Sequence, residues 1–326
     1  MAEGDPKFPL NFAHAYKVLG GSCELKTEPE DFVVVEQFDE ARFSGTGEHV
    51  CLQIRKRGQN TRWIAAALAE FTGVAERDIG FCGMKDRRAV TTQWFSVAHA
   101  DEWRMPVLAI PDCEVLQVVR HQRKLRRGSH QGNFFAIRLR NVSGSVDIEA
   151  IDERLSLIVN NGVPNYFGEQ RFGIEGQNLV EADRLLRRGR QRKLGGRQGI
   201  FLSAARSYLF NRVLSVRVKQ DNWSQVLEGE AEPQGPLWGR GRNSSRGELA
   251  ELESQTLADF QPWCNALEHL GLVQQRRDLV LWPSQFEWHW QGRELYLSFA
   301  LPVGTYATSV LREMLEVNTP PPRPVL

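Results

Sequence analysis

Strand-forming segments stand near both ends of this chain, and a helical stretch of different composition separates them. Residues 31–38 (DFVVVEQF) are rich in β-branched side chains and read as a buried strand. In Val50–Lys56 the apolar Val50, Leu52 and Ile54 alternate with Cys51, Gln53 and Arg55, the period of a half-buried strand. Strand patterns return at Gln93–Val97 and at Phe134–Arg140, where Phe135, Ile137 and Leu139 share a face, and again at Glu294–Ala300. Between the early strands, Asn60 or Thr61 can cap a helix with apolar face Ile64, Ala67, Leu68 and Phe71, ended by Gly73. A short helix over Ala307–Glu316 is expected to bury Val310, Leu311 and Met314, and the proline-rich tail Thr319–Leu326 to hang loose. From about Gly162 to Val280 the chain is helical and basic, with a Gly/Arg/Ser-rich loop at Gly239–Gly247 and then an acidic, Leu-rich segment. One sheet domain interrupted by an inserted domain accommodates this order, and 326 residues at roughly 150 per domain also point to two.

With 41% hydrophobic and 25% charged residues the chain has the makings of a full core, which excludes a disordered chain, a disulfide miniprotein and a fibrous repeat. No apolar run approaches the ~18 residues needed to span a bilayer, and Met1–Gly20 has neither signal-peptide nor anchor character. The five cysteines are scattered and never form a CxxC pair, as expected of reduced thiols in a cytoplasmic protein. The seven histidines show no paired-ligand spacing, so no metal is expected. There is no GxxxxGK[ST] loop, and Gly45 and Gly47 miss the GxGxxG spacing.

Charge is balanced overall, 41 Lys+Arg against 40 Asp+Glu, but segregated along the chain. Val115–Val146 holds no carboxylate and seven basic residues, among them Arg123, Lys124 and Arg126; Arg184–Lys219 holds none and eleven. Two such windows with interleaved aromatics (Phe134, Phe135, Tyr166, Phe167, Phe172, Phe201, Tyr208) point to a polyanion, and among polyanions to nucleic acid. Those aromatics are nonetheless core residues first.

Chemistry concentrates in Gly80–Val97, GFCGMKDRRAVTTQWFSV. Gly83 permits a tight turn, Lys85 and Asp86 stand at its tip, and the chain re-enters a strand at Gln93. An aspartate on a turn between sheet elements is placed as a nucleophile or base, with Arg87 and Arg88 beside it to keep it ionised and to attract phosphate.

The run GMKDRRAVTTQW resembles the catalytic signature G-x-K-D-x-x-A-V-T-x-Q of the TruD family of tRNA pseudouridine synthases. Five further segments are similar to the same family, in its order: Lys26–Phe32 followed by VVVE, Gly128–Phe135 (GSHQGNFF), Val163–Gly173 (VPNYFGEQRFG), Phe201–Asn211 (FLSAARSYLFN) and Leu301–Glu313 (LPVGTYATSVLRE). The resemblance implies an α+β pseudouridine-synthase catalytic domain with a largely antiparallel mixed sheet flanked by helices, at residues 1–161 and 281–326. It implies an inserted α/β TruD-type domain at 162–280, forming the other wall of a cleft that holds tRNA.

On this resemblance Asp86 is the nucleophile, at either the sugar C1′ or uracil C6, in a reaction that detaches uracil, turns it and rejoins it through carbon 5. An ordinary carboxylate is already ionised at pH 7, so no partner base is needed. Phe32 and Asn133 match nucleotide-binding positions; an Asn amide can read a flipped uracil with both a donor and an acceptor. Tyr306 matches the aromatic that stacks on the base, where relatives also carry Phe, and Lys26 is the basic neighbour expected to orient Asp86. Arg87, Arg123, Lys124, Arg126 and Arg171 are the expected RNA contacts. The family's usual target is the uridine at position 13, and neither metal, organic cofactor nor obligate protein partner is implied. The alternative reading is a non-catalytic tRNA-binding or RNA-chaperone protein on the same scaffold, which has no need of an ionised aspartate at the turn tip.

Overall fold

The computed structural model describes residues 7–101, 110–144, 146–187 and 198–321. Its first part carries β1 (Gly21–Glu24), β2 (Phe32–Gln37), β3 (His49–Arg57), helix α1 (Thr61–Thr72), β4 (Ile79–Phe81), β5 (Val90–Ala98), β6 (Cys113–His121) and β7 (Gly132–Gly144). Helix α2 (Ile148–Asn161) and β8 (Val163–Pro164) lead to helices α3 (Gln177–Arg187) and α4 (Gln198–Lys219). Then follow β9 (Gln234–Leu237), α5 (Gly247–Thr256), α6 (Gln261–Glu268), β10 (Gln275–Asp278) and β11 (Val280–Leu281). The chain closes with β12 (Ser284–Gln291), β13 (Glu294–Pro302), α7 (Ala307–Leu311) and β14 (Glu316–Asn318).

Two compact units divide the chain: residues 20–151, 283–304 and 315–326 form the sheet unit, and residues 1–19, 152–282 and 305–314 the helical unit. The first has one ten-stranded sheet in the order β12-β13-β7-β2-β5-β3-β6, with β1, β4 and β14 attached beside it. Pairing is antiparallel except for β2 with β5 and β1 with β14. The fold is mixed α+β with a largely antiparallel sheet.

Alternation decides the core of the sheet unit. Val50, Leu52 and Ile54 of β3 pack with Phe95 and Val97 of β5 against Ile64, Ala65 and Leu68 of α1. Ala67 and Phe71, expected on that face, are half-buried at its margin. The Asn60 carboxamide accepts from the Trp63 N–H at 2.7 Å, and Gly73 ends the helix in the left-handed region at φ 75°. β3 is not half-buried, as alternation alone suggests: Cys51, on its opposite face, is fully buried with Cys82, Trp94 and Leu125. β5 begins at Val90 rather than Gln93, because β2 pairs with Val90, Thr91 and Thr92.

The C-terminal segment also differs from expectation. Helix α7 stops at Leu311, and Glu316–Asn318 forms β14 beside β1, whose open edge offers a ladder to an extended segment. Val310, Leu311 and Met314 are buried as the spacing predicts. The tail is tied down through Pro320, whose carbonyl accepts from Arg88 Nη2 at 2.5 Å, and residues 322–326 lie outside the described ones.

The helical unit packs α3, α4 and α6 around an aromatic-rich core. Tyr166, Phe172, Tyr208, Phe210 and Trp263 are fully buried there, as core-first accounting expects. Two small antiparallel pairs, β9–β10 and β8–β11, complete it. Among the described residues no helix is long and apolar enough to cross a membrane.

Candidate active site

The loop between β4 and β5 presents Lys85 and Asp86. Gly83 does not adopt a left-handed φ, and a side chain there would meet only ordinary contacts. The constrained glycine is Gly80, where a Cβ would come within 2.5 Å of the Leu125 carbonyl. What shapes the turn is hydrogen bonding: the Lys85 N–H donates to Thr61 Oγ1 at 2.9 Å, and Gln93 Nε2 donates to the Gly83 carbonyl at 3.2 Å.

Asp86 is part-buried, with 28% of its side chain exposed. Its Oδ2 is paired with the Lys26 ammonium, and its Oδ1 accepts the Arg88 N–H at 2.9 Å. Burial pushes the carboxyl up, but the Lys26 charge and hydrogen bond, the Arg88 N–H and the Lys56 charge outweigh it and hold Asp86 below the usual carboxylate range. Each oxygen accepts one bond and keeps a further lone pair, so the group is both ionised and available for attack.

The charge that keeps Asp86 ionised comes first from Lys26 and then from Lys56, not from the guanidinium groups of the adjacent arginines. The Arg88 guanidinium donates to the carbonyls of Lys26 (2.9 Å) and Pro320, and Arg87 Nε to the Gly58 carbonyl at 3.3 Å. Lys26 sits at φ 60°, a conformation costly for a side-chain-bearing residue, and the Arg88 bond to its carbonyl helps to hold it there. This posture sets the ammonium 4.1 Å from the centre of the Phe32 ring. Phe32 is 6% exposed and meets Phe135 edge-on at 5.9 Å. Asp86, Lys26 and Phe32 are thus one contact group.

A second group stands beside it. Glu36 lies four residues beyond Phe32 on the same face of β2 and pairs in register with Asn133 of β7. Lys85 Nζ donates to Glu36 Oε2 and to Asn133 Oδ1, both at 2.8 Å, and Glu36 Oε1 accepts the Trp94 N–H at 3.1 Å. Glu36, Cys82 and His130 bring ligand atoms within 4.8 Å of one another; the Lys85 ammonium is already on Glu36 there, and burial pushes the Cys82 thiol up to about 12.

In the helical unit, Arg171 Nη2 donates to Tyr306 Oη at 2.8 Å and Nη1 to Ser203 Oγ at 3.1 Å. The Tyr306 ring is half-buried, and a side chain on Gly168 would come within 3.8 Å of it. Of the remaining expected RNA contacts, Arg87, Arg123 and Arg126 are exposed, whereas Lys124 is half-buried and donates to the Arg77 carbonyl.

A family profile described as tRNA pseudouridine synthase D (TruD) matches residues 12–193 and 220–314. The chain is 47% identical over 323 residues to the tRNA pseudouridine synthase D of Cellvibrio japonicus, covering 95% of this chain and 94% of that one. It is 42% identical to the one of Nitrosococcus oceani, with 93% of each covered. The chain belongs to the TruD family. A crystal structure of the putative TruD of Methanosarcina mazei superposes with a TM-score of 0.69 at 20% identity, covering 96% of this chain and 99% of that one, and so shares the fold.

The TruD resemblance points to Asp86 and to Lys26, but not to the contacts that Lys85 makes with Glu36 and Asn133. A signal was present: a carboxylate at the third inward position of Phe32, Val34, Glu36 breaks an apolar strand face, and a buried charge needs a partner. The backbone role of Arg88 had no such signal, since its partners come from residues 26 and 320.

Proposed function

We propose that this TruD-family tRNA pseudouridine synthase isomerises the uridine at position 13 with Asp86 as its nucleophile. The observation that carries the reading is the Lys26–Asp86 pair: a part-exposed carboxylate held ionised by an almost buried ammonium. Attack at C1′ or at C6 needs an anion with a free lone pair and no base to generate it. Phe32 and Asn133 bind the nucleotide, and Tyr306 supplies a stacking ring whose hydroxyl is held by Arg171. Arg87, Arg123 and Arg126 contact phosphate, as exposed cations do in sequence-independent RNA binding. The catalytic domain comprises residues 1–161 and 281–326 and the inserted domain 162–280, an assignment by chain segment that differs from the two compact units at residues 1–19, 152–161, 281–282 and 305–314; the enzyme works in the cytoplasm without metal, organic cofactor or obligate protein partner.

The test is tritium release from tRNA carrying 5-tritiated uridine, since isomerisation expels the label from carbon 5. Wild type releases label with no cofactor added; Asp86→Asn does not, while its tRNA affinity stays within about threefold. Near-wild-type release by Asp86→Asn would remove the residue from its role. Tight tRNA binding by the wild type with no release from any tRNA would favour the non-catalytic reading.

A further inference from the structure

The amide of Asn133 has two faces, and only one is left for a substrate. Lysine ammonium groups donate and never accept, so the atom 2.8 Å from Lys85 Nζ must be the amide oxygen. Flipping the amide would set two donors against each other. Among the described residues the Asn133 amide nitrogen donates to nothing. Lys85 cannot move aside to release the oxygen: its side chain is 5% exposed and pairs with Glu36, whose side chain is fully buried and whose other oxygen accepts the Trp94 N–H of β5. Strand register places Glu36 opposite Asn133, so the carboxylate that holds Lys85 and the amide itself are built on adjacent paired strands.

We infer that the Glu36–Lys85 pair locks the Asn133 amide as a donor-only reader of the uracil O4 carbonyl, and so makes Lys85 a positioning residue for the choice of uridine over cytidine. The inference rests on the proposed place of Asn133 in the nucleotide site. Uracil presents an acceptor at O4, a donor at N3 and an acceptor at O2, whereas cytosine presents an amino donor at carbon 4. An NH₂ group cannot pair with the uracil N3–H, and at O2 it would treat both bases alike. O4 is the edge position where a fixed donor accepts uridine and meets the cytidine amino group donor to donor. A free asparagine would turn over and accept from that amino group; the locked one is denied the turn. Rejection by an unpaired, desolvated donor is the kind of discrimination a built polar site achieves.

The test uses a tRNA transcript whose modified uridine has been mapped and the same transcript with cytidine there, added as a competitive inhibitor of tritium release. Release by the wild type reports on the proposed reaction; the ratio of inhibition constant to KM reports on the lock. In the wild type the cytidine transcript binds at least tenfold more weakly than the uridine transcript. Lys85→Met strands the buried Glu36 carboxylate and so melts lower; assayed below its own melting transition, it brings the two within about threefold by strengthening the cytidine transcript. Asn133→Asp keeps the shape and the Lys85 contact but has no donor, so KM for the uridine transcript rises at least tenfold while the cytidine transcript gains. A wild-type ratio preserved in folded Lys85→Met would overturn the inference. So would a KM within threefold of wild type in Asn133→Asp, because a carboxylate can replace only an accepting amide oxygen.

Discussion

At the scale of single residues the central feature is a carboxylate whose burial would neutralise it and whose neighbours do not let it be neutral. The folded pKa of Asp86 lies below its unfolded value, so the pair contributes stability that is present above the unfolded pKa and lost as pH falls through the folded one. The same sign governs activity: no acid-side loss arising from Asp86 is expected between about pH 5 and about pH 8. Lys26→Met leaves burial as the largest influence, and the acid limb of kcat/KM moves to higher pH. A pH–rate profile checks this, and an unmoved limb would show that Lys26 is not what ionises Asp86. Lys56 behaves in the opposite sense. It is fully buried, burial pushes it down to about 8, and its charge helps Asp86. Since the unfolded lysine holds its proton to higher pH, stability from Lys56 rises between about pH 8 and about pH 10.5.

At the scale of elements, the site depends on how closely β4, the strand that leads into the Lys85–Asp86 loop, is packed. Gly80 lies against Ser96 of β5 and the Leu125 carbonyl, and the Ser96 hydroxyl accepts the Leu125 N–H at 2.9 Å. Gly80→Ala is expected to destabilise by about 1–3 kcal/mol, the range for forcing extra volume into a packed site. It also shifts the loop carrying Arg123 and Arg126. Asn60→Ala, at the start of α1, is expected to cost about 1 kcal/mol by exposing the Trp63 N–H, with little effect on tRNA affinity. Thermal melts of both, with tRNA binding measured alongside, separate the two effects. Equal losses of affinity would mean that the Arg123–Arg126 loop packed on Gly80 has no special place in RNA binding.

At the scale of the whole molecule the positive charge is redistributed by folding. Of the basic residues in the two carboxylate-free windows, Arg138 pairs with Glu294, Arg140 with Asp31, Arg187 with Asp183 and Arg217 with Glu230. Arg206 spends its guanidinium on the carbonyls of Leu237 and Val273. Arg188, Arg190, Arg192, Lys193 and Arg197, in the second window, lie outside the described residues. Windows free of acid in sequence are therefore not free of acid in space. The salt dependence of tRNA binding should follow the exposed cations: Arg123→Ala and Arg126→Ala each reduce the slope of log affinity against log salt by about one, the value for a lost phosphate contact. Arg217→Ala should leave that slope alone and lower stability by about 3–5 kcal/mol, because it strands the Glu230 carboxylate, whose side chain is only 3% exposed. A changed slope in Arg217→Ala would place that residue on the RNA surface after all.

Local pattern alone spells out the strands β2, β3, β5, β7 and β13, the capped helix, the family and the candidate nucleophile: alternation along β3, Asn60 before α1, a contiguous run around Asp86. Only the tertiary structure decided what each charged group does. Lys26 reaches Asp86 across 60 residues, Lys85 meets Glu36 and Asn133 across more than 45, and Arg88 turns from its neighbour Asp86 to the backbone at 26 and 320. The physical reason is that hydrophobic period is repeated at every turn of an element and survives reading in one dimension, whereas an ion pair is a single contact whose partner is chosen by strand order and register. The short helix at 307 shows the same limit. Its apolar spacing is genuine, but the open edge of β1, invisible from positions 307–316, takes the last of that segment into the sheet.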